Sequence, residues 1–269
     1  MARIGGRPRS LIVDNNEKNS DLYVQTLARG LSILSLFDIE HPEWSLGDIA
    51  RSANLSKTTA YRMLRTLEGE GFVSYNTEAE IYYIGPATIS ISYLALSNIG
   101  FARFVHPVLE ELATATGETV ELAVEGKGGV VVVDHVATSH PFKPNLPLGR
   151  VLRNLANSGS KVLIAYQPED ERERMLREHN IALTPNTITD PVQIRAELDK
   201  IAESGLAFDR EEQDLGVCAI SAPVFGPDGD VKASVTLVAP AERFTPANIK
   251  KYTEALKASA KEISEYISR

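Results

Sequence analysis

Apolar residues in the first third of the chain recur with a helical period and then give way to short strand-like runs. From Leu22 they return every three or four positions, which predicts an amphipathic helix. Ser45 and Ser56, both good N-cap residues, precede two further helical patterns. Segments 72–75 and 81–84 are strand-like and flank a polar turn. The pattern therefore predicts three helices followed by a β-hairpin.

The third predicted helix, from Lys57 to about Glu70, has two unlike faces. Ala60, Leu64 and Leu67 have the spacing of a core-facing stripe. The opposite face is polar and basic and carries Lys57, Thr58, Tyr61, Arg62 and Arg65. Two short helices joined by a tight turn, with a basic second helix, are the arrangement that places a recognition helix in the DNA major groove. Together with the hairpin, this predicts a winged helix-turn-helix.

A Gly85-Pro86 break separates the hairpin from a helical stretch at 87–98 that is apolar over much of its surface. A helix of this kind between two domains needs a partner. Symmetric DNA-binding proteins read paired half-sites with paired recognition helices, so we expect a dimer contact here. Ordinary packing against its own domains is the alternative.

From Gly100 the pattern becomes mixed α/β. Helices are predicted at 101–116, 159–166, 168–179, 191–204 and 245–269. Strands are predicted at 119–125, 130–136, 149–153, 217–225 and 231–239. Hairpins with helices on their flanks favour an antiparallel sheet covered by helices, and the whole chain is predicted to be α+β.

Charge changes the interpretation of the first third. The net charge of −8 argues at first against nucleic acid, because phosphate contacts favour Lys and Arg. Its distribution argues the other way, since no acidic residue lies between Ile49 and Leu67. That stretch contains Arg51, Lys57, Arg62 and Arg65. A second basic group, Arg3, Arg7 and Arg9, belongs to a polar N-terminal arm that is able to reach a minor groove or to make no contact.

Other features exclude several classes of protein. The single cysteine, Cys218, excludes an intrachain disulfide framework and fits a reducing cytoplasm. No signal peptide is recognisable, and no apolar run approaches the roughly 20 residues that span a bilayer, so we expect a cytoplasmic protein without a membrane partner. None of the five histidines lies in a metalloprotease or nucleophile-elbow motif. We expect no catalytic residue, metal or cofactor. A metabolic enzyme is the weaker alternative, and a constitutive architectural DNA-binding protein is the third.

Several ordered stretches match one known family. In the N-terminal third they are Leu31-Ser-Ile-Leu34, Ser45-Leu-Gly-Asp-Ile-Ala-Arg51 and Leu55-Ser-Lys-Thr-Thr-Ala-Tyr-Arg-Met-Leu64. Farther on they are Gly159-Ser-Lys-Val-Leu-Ile-Ala165, Leu183-Thr-Pro-Asn-Thr-Ile-Thr-Asp190 and Ala222-Pro-Val-Phe225. On these stretches the chain resembles the IclR family of bacterial transcription regulators over nearly its whole length.

The resemblance implies a domain organisation and a function. The expected parts are a flexible basic arm (1–21), a winged helix-turn-helix (22–85), a linker and dimerisation helix (86–100) and a GAF-like effector-binding domain (101–269). Such a protein is expected to bind double-stranded operator DNA as a homodimer or tetramer. It would repress or activate transcription in response to a small organic effector.

Two sets of site residues are predicted. The exposed side of the recognition helix gives the DNA-binding set of Ser56, Lys57, Thr58, Thr59, Tyr61, Arg62 and Arg65. The resemblance implies the effector-binding set, in which Asp209 matches a family pocket acid. The surrounding wall is expected to contain Gly159, Ser160, Val217, Ala219, Thr236 and Val238. Structural roles are the alternative for single members: Gly159 in chain geometry, Val217 in the core, Asp209 as an acceptor of backbone N–H groups.

The sequence departs from the family pattern at the effector site. The usual pocket cysteine is Ala219 here, and Cys218 lies one residue earlier, which should turn it to the opposite face of its strand. The pair of pocket serines corresponds to Thr236 and Val238, and a usual glycine is Ser160. These substitutions favour an effector that is more apolar than a small acid.

Overall fold

The computed structural model divides the chain into two units, between residues 99 and 100. The residues that it describes are 23–39, 41–98, 104–126, 129–138, 140 and 147–268. The predicted arm with Arg3, Arg7 and Arg9 lies outside the described residues. None of the described helices is both long enough and apolar enough to cross a membrane.

The N-terminal unit is a helix-turn-helix with a small sheet. Its helices are α1 (Gln25–Leu34), α2 (Leu46–Ser52), α3 (Lys57–Gly69) and α4 (Ala87–Asn98). Its strands are β1 (Glu43–Ser45), β2 (Val73–Asn76) and β3 (Ile81–Ile84), joined as an antiparallel sheet in the order β1-β3-β2. The predicted hairpin is confirmed. β1 was not predicted, because three residues are too few to show an alternation.

Both predicted N-caps are confirmed. Ser45 Oγ accepts the Asp48 N–H at 3.2 Å, and Ser56 Oγ accepts the Thr59 N–H at 3.1 Å. Between α2 and α3 the chain turns at Asn54, whose φ is +54°. The predicted stripe of α3 is confirmed as well, in a core that comprises Ile33, Ile49, Ala50, Ala60, Leu64, Val73 and Tyr82.

The apolar stripe of α1 is not covered in the same way. Val24, just before the helix, and Leu27 and Leu31 are exposed, whereas Ile33 is buried in the core and Leu34 packs against it. The helical period therefore predicted the helix correctly. The N-terminal unit leaves most of its apolar face uncovered.

The C-terminal unit has a six-stranded sheet between two layers of helices. Its helices are α5 (His106–Thr116), α6 (Ser158–Ala165), α7 (Glu169–His179), α8 (Pro191–Ser204) and α9 (Pro246–Ile267). Its strands are β4 (Thr119–Gly126), β5 (Gly129–Val136), β6 (Val151–Leu152), β7 (Ala207–Arg210), β8 (Val217–Phe225) and β9 (Val231–Pro240). They follow the order β6-β5-β4-β9-β8-β7, and every neighbouring pair is antiparallel.

Each face of this sheet has its own apolar core. One face packs against α5 and α9 through residues such as Leu122, Leu237 and Leu256. The other face packs against α6, which in turn packs against α8 through Val162 and Leu198. This arrangement confirms the predicted α+β class and the sheet covered by helices.

The structure differs from the predicted elements mainly in two boundaries and in one additional strand. The strand expected at 149–153 comprises only Val151–Leu152, and α5 begins at His106, with residues 101–103 outside the described range. β7 was not predicted, because four residues that follow directly on the Gly205 helix end show no clear alternation. This omission matters because β7 carries Asp209.

Candidate functional site

The outer side of α3 is exposed and basic. Lys57, Thr58, Tyr61, Arg62 and Arg65 all project into solvent from this helix. Ser56 is exposed as well, and Thr59 is half-buried. All seven residues of the predicted DNA-binding set therefore lie on or directly before α3, and their binding role stays a prediction.

These residues differ in how freely they can contact DNA. Ser56 and Thr59 hold the helix start, with their hydroxyl oxygens 2.9 Å apart. Arg65 donates to the Glu68 carboxylate at 2.6 Å. Within the described part of the chain, Lys57 and Arg62 make no ion pair. The unpaired cations of α3 are thus at its first turn and its middle.

The tip of the hairpin has the opposite charge. Asn76 Oδ1 accepts the N–H groups of Glu78 and Ala79, which fixes the turn, and Glu80 has a φ of +57°. Two acidic residues at this tip disfavour phosphate contacts. Of the hairpin and α3, it is therefore α3 that presents the positively charged surface.

The second candidate site is the sheet face beneath α6. Successive side chains of β8 point to opposite faces of the sheet. Cys218 and Ile220 pack in the core with α5 and α9, and Ala219 points to the face covered by α6, here called the α6 face. Ala219 is the direct cross-strand partner of both Asp209 and Val238. Cross-strand partners share a face, so three predicted effector residues form one row across β7, β8 and β9.

Of the remaining predicted effector residues, Val217 and Thr236 lie on the same sheet face, and Gly159 and Ser160 lie on α6 above it. Val217 is half-buried at the start of β8, and Thr236 occupies the next row of β9. Gly159 belongs to α6, where an added Cβ would lie 3.3 Å from Ser234 Oγ and 3.5 Å from Thr236 Oγ1. The missing side chain lets the helix lie close to β9. The expectation that Cys218 points away from this face is confirmed, and burial raises the pKa of its thiol.

A hydroxyl network joins α6 to the sheet. Ser221 Oγ lies 2.7 Å from Ser158 Oγ and 2.8 Å from Thr236 Oγ1. At the start of the helix, Asn157 Oδ1 accepts the Ser160 N–H at 2.7 Å. These bonds fix the N-terminal turn of α6 above the middle strands of the sheet.

The Asp209 side chain stabilises the turn that follows β7. Its Oδ1 accepts the backbone N–H groups of Glu212 at 2.8 Å and Gln213 at 3.3 Å. Burial raises the pKa of this carboxyl to about 7, although both N–H groups act to lower it. Asp209 therefore has the structural role that the sequence left open as its alternative.

A buried lysine ties this turn to α6. Lys161, 1% exposed, donates from Nζ to Glu212 at 2.6 Å, to Glu197 at 2.9 Å and to the Phe208 carbonyl at 3.1 Å. The hydroxyl of Thr187 donates to the Glu212 carbonyl at 2.7 Å. One cation thus connects α6, α8, β7 and the loop that follows β7.

Sequence reasoning missed several polar residues of this face. Buried side chains there include Glu121, Ser158, Ser221 and Ser234. A signal existed in β4, where Thr119, Glu121 and Ala123 alternate with Val120 and Leu122. The α6 face is therefore more polar than the expectation of an apolar site suggested. In the described part of the chain, no group of three or more His, Cys, Asp or Glu residues is placed to hold a metal ion.

Comparison with known families decides what this architecture is. The family model described as "Bacterial transcriptional regulator IclR C-terminal" matches residues 93–265, and the "IclR helix-turn-helix domain" matches residues 26–77. The chain belongs to the IclR family. It is accordingly a DNA-binding transcriptional regulator with a C-terminal effector-binding domain, and the enzyme alternative is set aside.

Individual relatives support the assignment over most of the chain. The transcriptional repressor IclR of Escherichia coli is 27% identical over 244 residues, covering 90% of this chain and 89% of that protein. The regulator Rv1719 of Mycobacterium tuberculosis is 31% identical over 222 residues, covering 82% and 84%. An IclR-family regulator from a Silicibacter species has a crystal structure similar to this chain, with a TM-score of 0.85, 28% identity and coverage of 90% and 96%.

Proposed function

We propose that this IclR-family regulator binds double-stranded operator DNA through α3 as a homodimer or tetramer, and that a small organic effector on the α6 face changes this binding. The observation that carries the proposal is the exposed basic side of α3, on which Lys57 and Arg62 lack ion-pair partners among the described residues. A protein that binds a bacterial operator acts in the cytoplasm, which agrees with a single free cysteine.

The proposed DNA contacts divide into two kinds. Lys57 and Arg62 are long cations that can reach guanine edges or phosphates, and Arg65 can join them by exchanging Glu68 for DNA. The hydroxyl groups of Ser56, Thr58, Thr59 and Tyr61 are suited to backbone contacts that fix the position of the helix.

Exposed apolar surface supports the proposed dimer. On α4, Ile89 and Tyr93 are each 70% exposed, and Leu94 is exposed as well. Leu27 and Leu31 of α1, with Val24 just before it, add a second exposed apolar surface. Several exposed apolar side chains on one helix are typical of an interaction site, and pairing of two chains would bring two recognition helices onto one symmetric operator.

The proposed effector site uses the seven residues of the α6 face, Gly159, Ser160, Asp209, Val217, Ala219, Thr236 and Val238. An effector bound there would favour one conformation of the paired regulator and so change the population that binds DNA. For effector binding to change DNA binding, the effector needs only to bind the two conformations of the regulator with different affinities. A constitutive architectural protein would have no such coupling.

An operator-DNA mobility-shift assay tests the proposal. Fragments of the DNA that flanks the gene would be incubated with the full-length protein, with and without candidate metabolites. We expect a shift that is selective for one sequence and that at least one metabolite changes. No sequence-selective shift would contradict the regulator, and a shift that no metabolite alters would favour the architectural alternative.

Replacing Arg62 by alanine is expected to weaken operator binding by about fivefold or more, because a lost base contact costs roughly 1–3 kcal/mol. The fold should be unchanged, since Arg62 is exposed on α3. The measurement is a fluorescence-anisotropy titration of labelled operator at moderate salt. Arg177→Ala, the same change on the exposed side of α7, is the matched control. Equal affinities for the two variants would remove Arg62 from the interface.

A further inference from the structure

Glu121 is a buried carboxyl with an unused acceptor atom. It lies in the middle of β4, is 5% exposed, and has Thr236 and His135 as its cross-strand partners. These pairings place it on the α6 face, beside the predicted effector residues. Its Oε1 is fully buried and accepts no hydrogen bond. Native structures rarely leave such an atom unpartnered without a functional reason.

Three further buried atoms without a hydrogen bond lie on or above this face, and one of them is Nδ1 of His135, the cross-strand partner of Glu121 on β5. Ser160 Oγ in the first turn of α6 and Ser234 Oγ on β9 are both buried without a hydrogen bond. Ser234 is the cross-strand partner of Ala123, which lies two positions after Glu121 and therefore on the same face of β4. The Oγ of Ser234 lies beneath Gly159 of α6. Each buried unsatisfied polar atom costs about 1–3 kcal/mol. A ligand that hydrogen-bonds to these atoms recovers that cost on binding.

The charges around Glu121 restrict what that ligand can be. Arg150 is the cation whose charge acts on Glu121, and its guanidinium also lies 3.9 Å from the Asp214 carboxylate. Lys161 is fully used by its acidic partners, and Asp209 adds a second carboxyl to the face. Among the described residues, this face therefore has no unpaired buried cation that could bind a carboxylate ligand. It does have an unpartnered acceptor, Glu121 Oε1, to which a ligand with hydrogen-bond donors could bind.

We propose that the effector of this regulator donates hydrogen bonds to Glu121, as a small polyhydroxylated molecule or an amine does, and that Glu121 selects against simple carboxylic acids. The inference rests on the effector site of the proposed function. It adds to that site Glu121 as the residue that sets ligand class and Ser234 as a second contact. Polyols and amines share the donor chemistry, so the experiment includes one of each.

The direction of the pH dependence separates donors from acids. Burial raises the pKa of Glu121 to about 7, and the charge of Arg150 opposes this rise. A donor ligand favours the ionised carboxylate, so it should bind more tightly as the pH rises through that value. A carboxylate ligand favours the protonated form and should bind more tightly as the pH falls.

The experiment measures binding of three probes to the full-length protein by isothermal titration at about pH 6 and about pH 8, on either side of the raised pKa. The probes are xylitol, putrescine and pyruvate, each at millimolar concentration. We expect xylitol or putrescine to bind more tightly at the higher pH, and pyruvate not to bind. Binding of xylitol alone would assign the donor to hydroxyl groups, and binding of putrescine alone would assign it to an amine.

Two variants test the residue itself. Glu121→Gln keeps the shape but removes the charge. It should weaken binding of the probe by about tenfold, because charge-assisted hydrogen bonds are about twice as strong as neutral ones. It should also reduce the pH dependence of binding, of which Asp209 supplies the remainder. Glu125→Gln is the matched control on the same strand, where Glu125 already accepts a bond from Gln167. Ser234→Ala, a small change, should weaken the same probe and serves if Glu121→Gln does not fold.

The inference is overturned if pyruvate binds better than both donors, if neither donor binds the wild type, or if Glu121→Gln and Glu125→Gln bind the probe equally. Operator binding without a probe is measured on the same preparations. If the wild-type protein does not bind operator DNA, the proposed function is contradicted. Normal operator binding together with a preference for pyruvate would contradict only the ligand class.

Discussion

Replacing Lys161 by methionine is expected to lower the free energy of unfolding of the C-terminal unit by about 3–5 kcal/mol, the usual cost of removing one partner of a buried ion pair. Methionine fills a similar volume, so the loss comes from charge and hydrogen bonding. Glu212 would keep a buried carboxylate without its cation, and the Phe208 carbonyl would lose its donor. The measurement is urea denaturation followed by circular dichroism.

Two comparisons isolate the charge effect. Lys200→Met, at an exposed position of α8, should change stability little. The double replacement of Lys161 by Met and Glu212 by Gln should be more stable than Lys161→Met alone, because it leaves no ionised Glu212 without a counter-charge. If Lys161→Met and Lys200→Met unfold at the same urea concentration, the buried cluster does not stabilise the fold.

Raising the pH from about 5 to about 8 is expected to destabilise the C-terminal unit through Glu121 and Asp209. Burial raises the pKa of each carboxyl to about 7, above its value in the unfolded chain. The folded state then holds protons that the unfolded state has released, so stability falls as the pH rises through this window and levels off above it. Each shift corresponds to a few kcal/mol at most, at about 1.4 kcal/mol for each pKa unit.

Variants with neutral side chains separate this effect from other titrations. Glu121→Gln and Asp209→Asn should each flatten the fall in stability, and Asp209→Asn retains an oxygen that can accept the Glu212 N–H. The groups that act on Asp209, namely Glu212 and Lys161, remain in place in both variants. Melting temperatures across the pH range give the curves. Parallel curves for the wild type and both variants would refute the prediction.

The parts of the fold that local signals control were predictable. Ser45 and Ser56 marked the starts of α2 and α3, and the spacing of Ala60 and Leu64 identified the buried side of the recognition helix. These signals act within one or two helical turns. For the same reason, the side of α3 that carries the candidate DNA contacts followed directly from the sequence.

The effector site was less predictable because its determinants are far apart in sequence. Lys161 lies 36 residues from Glu197 and 51 from Glu212, and no local pattern marks a lysine in an apolar helix as a buried ion-pair partner. β7 was missed although it positions Asp209 beside Ala219. Glu121 was visible as a charge within an alternating strand, but only the register with β9 assigns it to the effector face.

The uncovered apolar sides of α1 and α4 have a consequence for gene dosage. If two chains must pair through these surfaces before they hold an operator, the concentration of paired molecules rises more steeply than the number of chains per cell. Operator occupancy then depends on how strongly the regulator's own gene is expressed. At low copy number, the cell's response to a fixed amount of metabolite would change with the supply of the protein that senses it.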